Sequence, residues 1–240
     1  MKLKYVTLTG ADDKTSASRM AALSAKYPYV EWAILFSQAK SGVPRYPSND
    51  WIQKSLPILG GCNLSAHLCG KWVADVMDGR FTFMDEDDGL LSDNFRRFQL
   101  NLAGQKLKDV LLWKTKLWDC DLHSHTNQII LGGPYQKTGL ALPVDSYFLY
   151  EVVPLFDSSG GRGIMTDTWP AVPVSEGTPL FCGYAGGLGP DNLEEQLKKI
   201  EDVVGDNTIW IDMESRIRNE QDEFDLALCE KVLEIAKAWV

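Results

Sequence analysis

The chain has 240 residues, enough to bury a full hydrophobic core and better suited to one large domain than to two small ones. Its 45% hydrophobic and 24% charged content is that of a globular protein, while a net charge of -9 disfavours nucleic acid, which needs a basic face. An anionic small molecule stays open, because a local pocket can be positive on an acidic protein.

Short apolar runs recur at fairly even intervals and read as eight strands: 4–9, 30–37, 63–69, 97–101, 127–133, 152–157, 179–184 and 208–214. The first run, in MKLKYVTLTG, begins without a signal-peptide hydrophobic region. Helix-like segments fall between the strands at 16–27, 48–59, 71–79, 103–117 and 191–205, and the strongest helical periodicity closes the chain at 224–240. The acidic stretch 85-DEDDG-89 reads as a solvated loop, and 134–151 shows no clean helix. Strands alternating with helices imply a parallel sheet, and eight such units in this length predict an α/β protein with a single (β/α)8 TIM barrel over 1–240. A doubly wound open sheet is the rival, but 9-TGADDKT-15 does not supply the GxGxxG expected after its first strand.

Five cysteines (Cys62, Cys69, Cys120, Cys182, Cys229) stand singly with no CxxC, which reads as reduced thiols. No stretch approaches the roughly 20 apolar residues a membrane span needs. The expectation is a cytoplasmic protein, monomer or homodimer, with no membrane or nucleic-acid partner, no cofactor and no metal.

In such a barrel the functional residues sit at the C-terminal strand ends. Alternation along 63-NLSAHLC-69 places Asn63, Ser65, His67 and Cys69 on one face, and along 208-TIWIDME-214 it places Asp212 and Glu214 together. Gln99 and Asn101 pair likewise. Interiors of this kind are usually filled by Val, Ile and Leu, so the polarity marks either a site or a satisfied hydrogen-bond network. Two glycine-rich loops follow apolar runs, 157-DSSGGRG-163 and 184-YAGGLGPDN-192. Loops after the seventh and eighth barrel strands commonly bind phosphate through backbone N–H groups and a helix N-terminus. Gly186 and Gly187 would let the backbone approach an anion, although glycine before Pro190 and Asp191 is also ordinary helix-start grammar.

These motifs resemble phosphoribosylanthranilate isomerase, a (β/α)8 enzyme that performs an Amadori rearrangement. The resemblance rests on 157-DSSGGRGIMTDTW-169, 186-GGLGPDN-192 and 211-IDMESRI-217, with 44-PRYPS-48 and 99-QLN-101 in support. It is strong over about the last 90 residues and faint before residue 100. It implies that Asp157 is the general acid that opens the ribose ring, that Gly160, Gly161, Gly186, Gly187 and Ser215 hold the phosphate side of the ligand, and that Arg45 contacts a carboxylate. Gln99 and Asn101 would complete the ligand-binding set. The chain departs from the family at three places. Thr9 stands where the family has its general-base cysteine, and a threonine hydroxyl does not titrate near neutrality. Asn101 replaces a histidine. Arg216 replaces a glycine beside the phosphate, where it would either clamp the anion or block the site.

A replacement base is sought at His67 and Cys69, two residues apart on one face, where an imidazole beside a thiol lowers the thiol pKa. The bland alternative is a buried cysteine and a hydrogen-bonded histidine. The His-x-His of 121-DLHSH-125 has a metal-ligand spacing but precedes the fifth strand, where a polar loop is the plainer account. Asp212 and Glu214 are either paired carboxylates or salt-bridged to Arg216 and Arg218. Trp169 either stacks on a flat ligand ring or wedges its loop against the rim. The resulting expectation is a protein that binds a phosphorylated sugar or nucleotide-like ligand, as an isomerase or lyase using Asp157 as acid. The alternative is a non-catalytic binder on the same barrel.

Overall fold

The computed structural model describes residues 1–78, 80, 94–102, 128–132, 151–157, 163–166, 168–175 and 177–240. Eight parallel strands close into a barrel: β1 (Lys2–Thr9), β2 (Val30–Phe36), β3 (Asn63–Leu68), β4 (Arg97–Leu100), β5 (Gln128–Gly132), β6 (Glu151–Asp157), β7 (Cys182–Ala185) and β8 (Thr208–Met213). Each strand pairs with its sequence neighbours, and β8 returns to β1 with Thr7 opposite Asp212. All eight expected strands are present. The seventh starts later than its apolar run suggests, because Thr178–Pro179 pairs antiparallel with Val174–Ser175 at the edge of the barrel.

The described helices are α1 (Ala17–Lys26), α2 (Asn49–Leu59), α3 (Lys71–Met77), α4 (Leu193–Val204) and α5 (Leu226–Ala236). Their starts follow side-chain capping. Ser16 accepts from the Arg19 amide, Ser48 from the Trp51 amide at 3.2 Å, and Asp225 from the Ala227 amide at 2.7 Å. Each satisfies a donor that the first helical turn leaves unpaired. The expected helix at 103–117, the acidic loop 85–89 and most of 134–151 lie outside the described residues. No described helix is long and apolar enough to cross a membrane.

The main core lies between the strands and the helices. There Ile209, Ile211 and Met213 of β8, Leu64, Ala66 and Leu68 of β3, and Leu193, Leu197, Val232 and Leu233 of α4 and α5 all belong to one buried cluster that runs around the barrel. A second, smaller cluster of Ile130, Val153, Leu155, Ala185 and Trp210 fills part of the barrel interior. The opposite sector of that interior is polar. Arg97 forms an ion pair with Glu31 at 2.6 Å, both side chains being at most 3% exposed, and Thr7 donates to the same carboxylate at 2.7 Å. The Arg97 guanidinium also lies 4.2 Å from the Trp210 ring centroid, a cation–π contact joining the two sectors. A charge this deep is tolerable only when paired and hydrogen-bonded, and the Glu31–Arg97–Gln128 chain supplies most of that satisfaction.

Candidate functional site at the barrel mouth

The strand ends bring two carboxylates to one level of the mouth. Asp212 of β8 lies opposite Ala185 of β7, which lies opposite Asp157 at the end of β6. At about 4.8 Å per strand, the two aspartates are roughly 10 Å apart at Cα, a separation that fits a small molecule between them. Thr9, the last residue of β1, donates its hydroxyl to Asp212 Oδ1 at 2.7 Å. Asp212 is 9% exposed. Burial pushes its carboxyl up to about 7; the Thr9 hydrogen bond opposes this, and the charges of Glu214, Glu31 and Asp157 reinforce it. Asp212 therefore titrates near neutrality, whereas Thr9 cannot.

On β3, Ser65 and His67 turn inward as alternation requires, and both are buried. Burial, aided by the Arg97 charge, lowers the His67 imidazole to about 3, so it is neutral across the physiological range. Its Nε2, the Ser65 hydroxyl and Arg97 Nη2 are buried atoms with no hydrogen-bond partner among the described residues. Cys69 is half-buried, and desolvation pushes its thiol up despite hydrogen bonds from Asn101 and Tyr46. The contact joining the two residues runs from Cys69 Sγ to the His67 carbonyl oxygen at 4.0 Å. At neutral pH the thiol keeps its proton, and the imidazole, lowered to about 3, is too weakly basic to take it, so no thiolate–imidazolium pair forms. Gln99 donates to Asn101 Oδ1 at 3.0 Å and Asn101 donates to Cys69 Sγ at 3.1 Å, a short polar chain along the β3–β4 edge of the mouth.

Above these strands the rim divides in two. On the side of β1, β2 and β8, the arginines are committed. Arg45 donates to Glu214 at 2.7 Å and to Asp222 at 2.8 Å, and its backbone, at a left-handed φ of 75°, donates to Asp12 at 3.1 Å. Arg218, almost wholly buried, donates to the Gly10 carbonyl at 2.9 Å and to Asp12 at 3.3 Å, and also contacts Asp222. Glu214 is thus bonded to Arg45, a partner outside the Arg216/Arg218 pair the sequence offered.

On the side of β6, β7 and β8, three loops pack together where side chains are missing. Gly187, at φ 67°, leaves no room for a Cβ, which would stand 2.6 Å from the Met165 amide nitrogen. A Cβ at Gly189 would stand 2.4 Å from Arg216 Cβ, and Gly163 rests against the Ser215 hydroxyl. Asn192 ties the loop internally, accepting from the Gly189 amide at 2.9 Å and donating to the Gly187 carbonyl at 2.9 Å. Ser215 and Arg216 open a short 3-10 turn after β8, and both are exposed. Among the described residues Arg216 has no ion-pair partner. Gly160 and Gly161, like His123 and His125, lie outside the described residues.

Trp169 is buried rather than open to a ligand. Its indole donates to Gln196 Oε1 on α4 at 3.0 Å and meets Tyr184 edge to face, so it wedges its loop against the barrel.

No protein-family model matches the chain, and no curated protein matches it in sequence. Solved structures do match in shape. Phosphoribosyl anthranilate isomerase from Thermus thermophilus superposes with a TM-score of 0.57 at 15% identity, covering 99% of each chain. A truncated form of 3-deoxy-D-arabino-heptulosonate 7-phosphate synthase from Thermotoga maritima gives a TM-score of 0.53 at 10% identity, over 99% of this chain and 86% of that one. The chain has the fold of phosphoribosylanthranilate isomerase. At these identities the likeness is one of architecture.

Sequence reasoning grouped Asp212 with Glu214 but did not reach its bond to Thr9, because the two meet only when β8 closes onto β1. The signal was nevertheless in two places: a threonine ending β1 and an inward aspartate near the end of β8. The sequence pairs Arg218 with the β8 acids; its burial beneath the rim depends on the loop 218–224 folding back, with Arg218 bridged to Phe224.

Proposed function

We propose that this protein binds a phosphorylated sugar or nucleotide-like ligand at the C-terminal mouth of the barrel and acts on it as an isomerase or lyase. The phosphate is held by Arg216, Ser215 and the Gly186–Gly187 backbone, and Asp157 is the general acid. The observation that carries this reading is Arg216. It is an exposed guanidinium with no ion-pair partner among the described residues, its stem laid across Gly189 where the glycine-bearing loops after β6 and β7 meet the turn after β8. An arginine fork matches phosphate geometry and gains most where no carboxylate competes for it. The committed state of Arg45 and Arg218 makes Arg216 the natural anchor on this rim. Gln99 and Asn101 present amides to the sugar from the other side, and Arg45 contributes to an acidic ligand group only by exchanging one of its carboxylates for it.

The test is thermal unfolding with inorganic phosphate and with ribose 5-phosphate, since a ligand bound to the native state raises Tm by mass action. The gain should vanish in Arg216→Ala. An equal gain in wild type and Arg216→Ala would refute the phosphate anchor. A second reading, a binder without turnover, draws on the uncharged state of His67 and Cys69 and on Thr9. It predicts that Asp157→Asn alters affinity alone. The enzyme reading predicts a turnover loss of about a hundredfold or more at unchanged fold, the effect of a missing general acid.

A further inference from the structure

The base that the isomerase reading needs is absent from the end of β1, and at the end of β3 the Cys69 thiol keeps its proton while the His67 imidazole, lowered to about 3, is only weakly basic. We propose that Asp212, oriented by the Thr9 hydroxyl, is the proton-accepting base of the mouth, working opposite Asp157; this rests on the reading of the mouth as a phosphosugar site. Four observations support it. Asp212 projects inward from β8, and one of its oxygens, Oδ1, is engaged by Thr9 at 2.7 Å, which fixes the plane of the carboxylate. It stands at the register level of Asp157, two strands away, so the pair flanks whatever occupies the mouth between them. It lies on the same strand as the turn that carries Ser215 and Arg216, so a phosphate held there would set its distance to the sugar carbons. Finally, the buried Ser65 hydroxyl and His67 Nε2 of β3 have no hydrogen-bond partner among the described residues, as expected beneath a polar ligand rather than in a finished hydrogen-bond network.

The electrostatics fit a base rather than a structural carboxylate. The groups acting on Asp212 are Thr9 from β1, Glu31 from β2, Asp157 from β6 and Glu214 just past the end of its own strand; β7 faces it with Ala185. Desolvation and the three carboxylates favour the protonated form, and the Thr9 donor favours the ionised one. A carboxylate so poised is ionised for an appreciable fraction of the time near neutrality and retains far more basicity than an exposed one. A structural aspartate would instead be paired with a cation, as Glu31 is with Arg97 and Asp12 with Arg218.

The step balances without an oxidant. On a 5-phosphorylated ribosylamine, Asp157 gives its proton to the ring oxygen as the C1–O bond breaks and the nitrogen lone pair forms C1=N⁺. The Asp212 carboxylate then takes the C2 proton. The C2–H electron pair forms C1=C2, and the iminium pair returns to nitrogen. The resulting enol loses its hydroxyl proton and gains one at C1, giving the ketone.

The experiment follows C2–H exchange by NMR in D2O, with ribose 5-phosphate and its anthranilate glycosylamine as probes. Binding of ribose 5-phosphate is measured in parallel by calorimetry. Wild type should bind and exchange. Asp212→Asn, which keeps the Thr9 hydrogen bond, should bind comparably and lose exchange by on the order of 10²–10⁴. Thr9→Val removes the donor that favours the carboxylate, so the ascending limb of its pH–rate profile should move to higher pH. A merely structural role would not move that limb. Exchange at the wild-type rate in Asp212→Asn, or an unmoved limb in Thr9→Val, overturns the assignment while leaving the ligand reading intact. Binding without exchange by wild type also overturns it and leaves the binder. No binding by wild type removes the ligand reading, and this inference with it.

Discussion

The two halves of the mouth solve opposite problems with the same residue type. Beside β1, β2 and β8, Arg45 and Arg218 are surrounded by Asp12, Glu214 and Asp222, and the charges cancel within the protein. Beside β6, β7 and β8, glycines bring the loops close together, and among the described residues Arg216 has no ion-pair partner. The first half is finished as it stands. Among its described residues the second offers an arginine without a carboxylate bound to it, which is the arrangement expected of an anion site. The difference teaches that counting arginines on a rim says little; whether each already has its carboxylate decides what it is for.

That contrast is sharpest in its effect on stability. Arg218→Ala would leave Asp12 buried without its cation and the Gly10 carbonyl without its donor. Breaking a buried pair in this way costs about 3–5 kcal/mol. Urea unfolding should therefore show a large drop for Arg218→Ala and a change within about 0.5 kcal/mol for the exposed Arg216→Ala. Comparable losses in both variants would erase the distinction between the halves.

The next effect in size is a pH dependence centred between the halves, at Asp212. Its folded carboxyl holds its proton more tightly than the unfolded one. The stabilisation is thus complete below the unfolded value of 3.8, and it is lost as pH rises through about 7. Asp212→Asn has no proton to lose. Relative to that variant, wild type should become less stable from pH 4 to pH 7, by at most about 4 kcal/mol. His67 acts in the other sense, since its imidazole is depressed to about 3 and favours the folded state above pH 6.5. The comparison with Asp212→Asn removes this contribution because both proteins carry His67. A flat difference across that range would show that the carboxylate is better solvated than its surroundings imply.

Much of the architecture was legible from spacing alone, because strand and helix periodicities are local. Every barrel strand was expected within a few residues, and helix starts at Ser16, Ser48 and Asp225 follow from side chains that cap their own turns. The glycine loops were legible as loops, but their cause was only half visible. Gly187 and Gly189 are required by neighbouring loops from other strands, whatever they also do for a ligand. What sequence reasoning could not supply depends on closure. The Thr9–Asp212 bond spans 203 positions, and Glu31 meets Arg97 across an intervening strand. Neither partner has a local signature of the other. Along β3 the spacing of His67 and Cys69 suggests a reactive pair, but burial, which adjacency does not reveal, keeps the thiol protonated and the imidazole weakly basic.

The smallest expected effect concerns Arg45, where the halves can be set against each other directly. Its guanidinium is partly exposed and bonded to Glu214 and Asp222, so the pairs are screened and individually worth little, at most about 1 kcal/mol. Arg45→Gln removes the charge while retaining an amide donor. Its backbone conformation at φ 75° already disfavours any side chain, so Gln should carry nearly the same strain as Arg. Stability should therefore fall by no more than about 1 kcal/mol in urea unfolding. Phosphate-induced stabilisation should persist, because the anchor is on the other half. The released Glu214 is the more sensitive reporter. Unpaired, it adds repulsion toward Asp212 and should raise that carboxyl further, moving the pH dependence of the wild-type comparison upward. If Arg45→Gln instead abolishes the response to phosphate, the anion sits on the closed half, and the division of the rim proposed for this mouth is wrong.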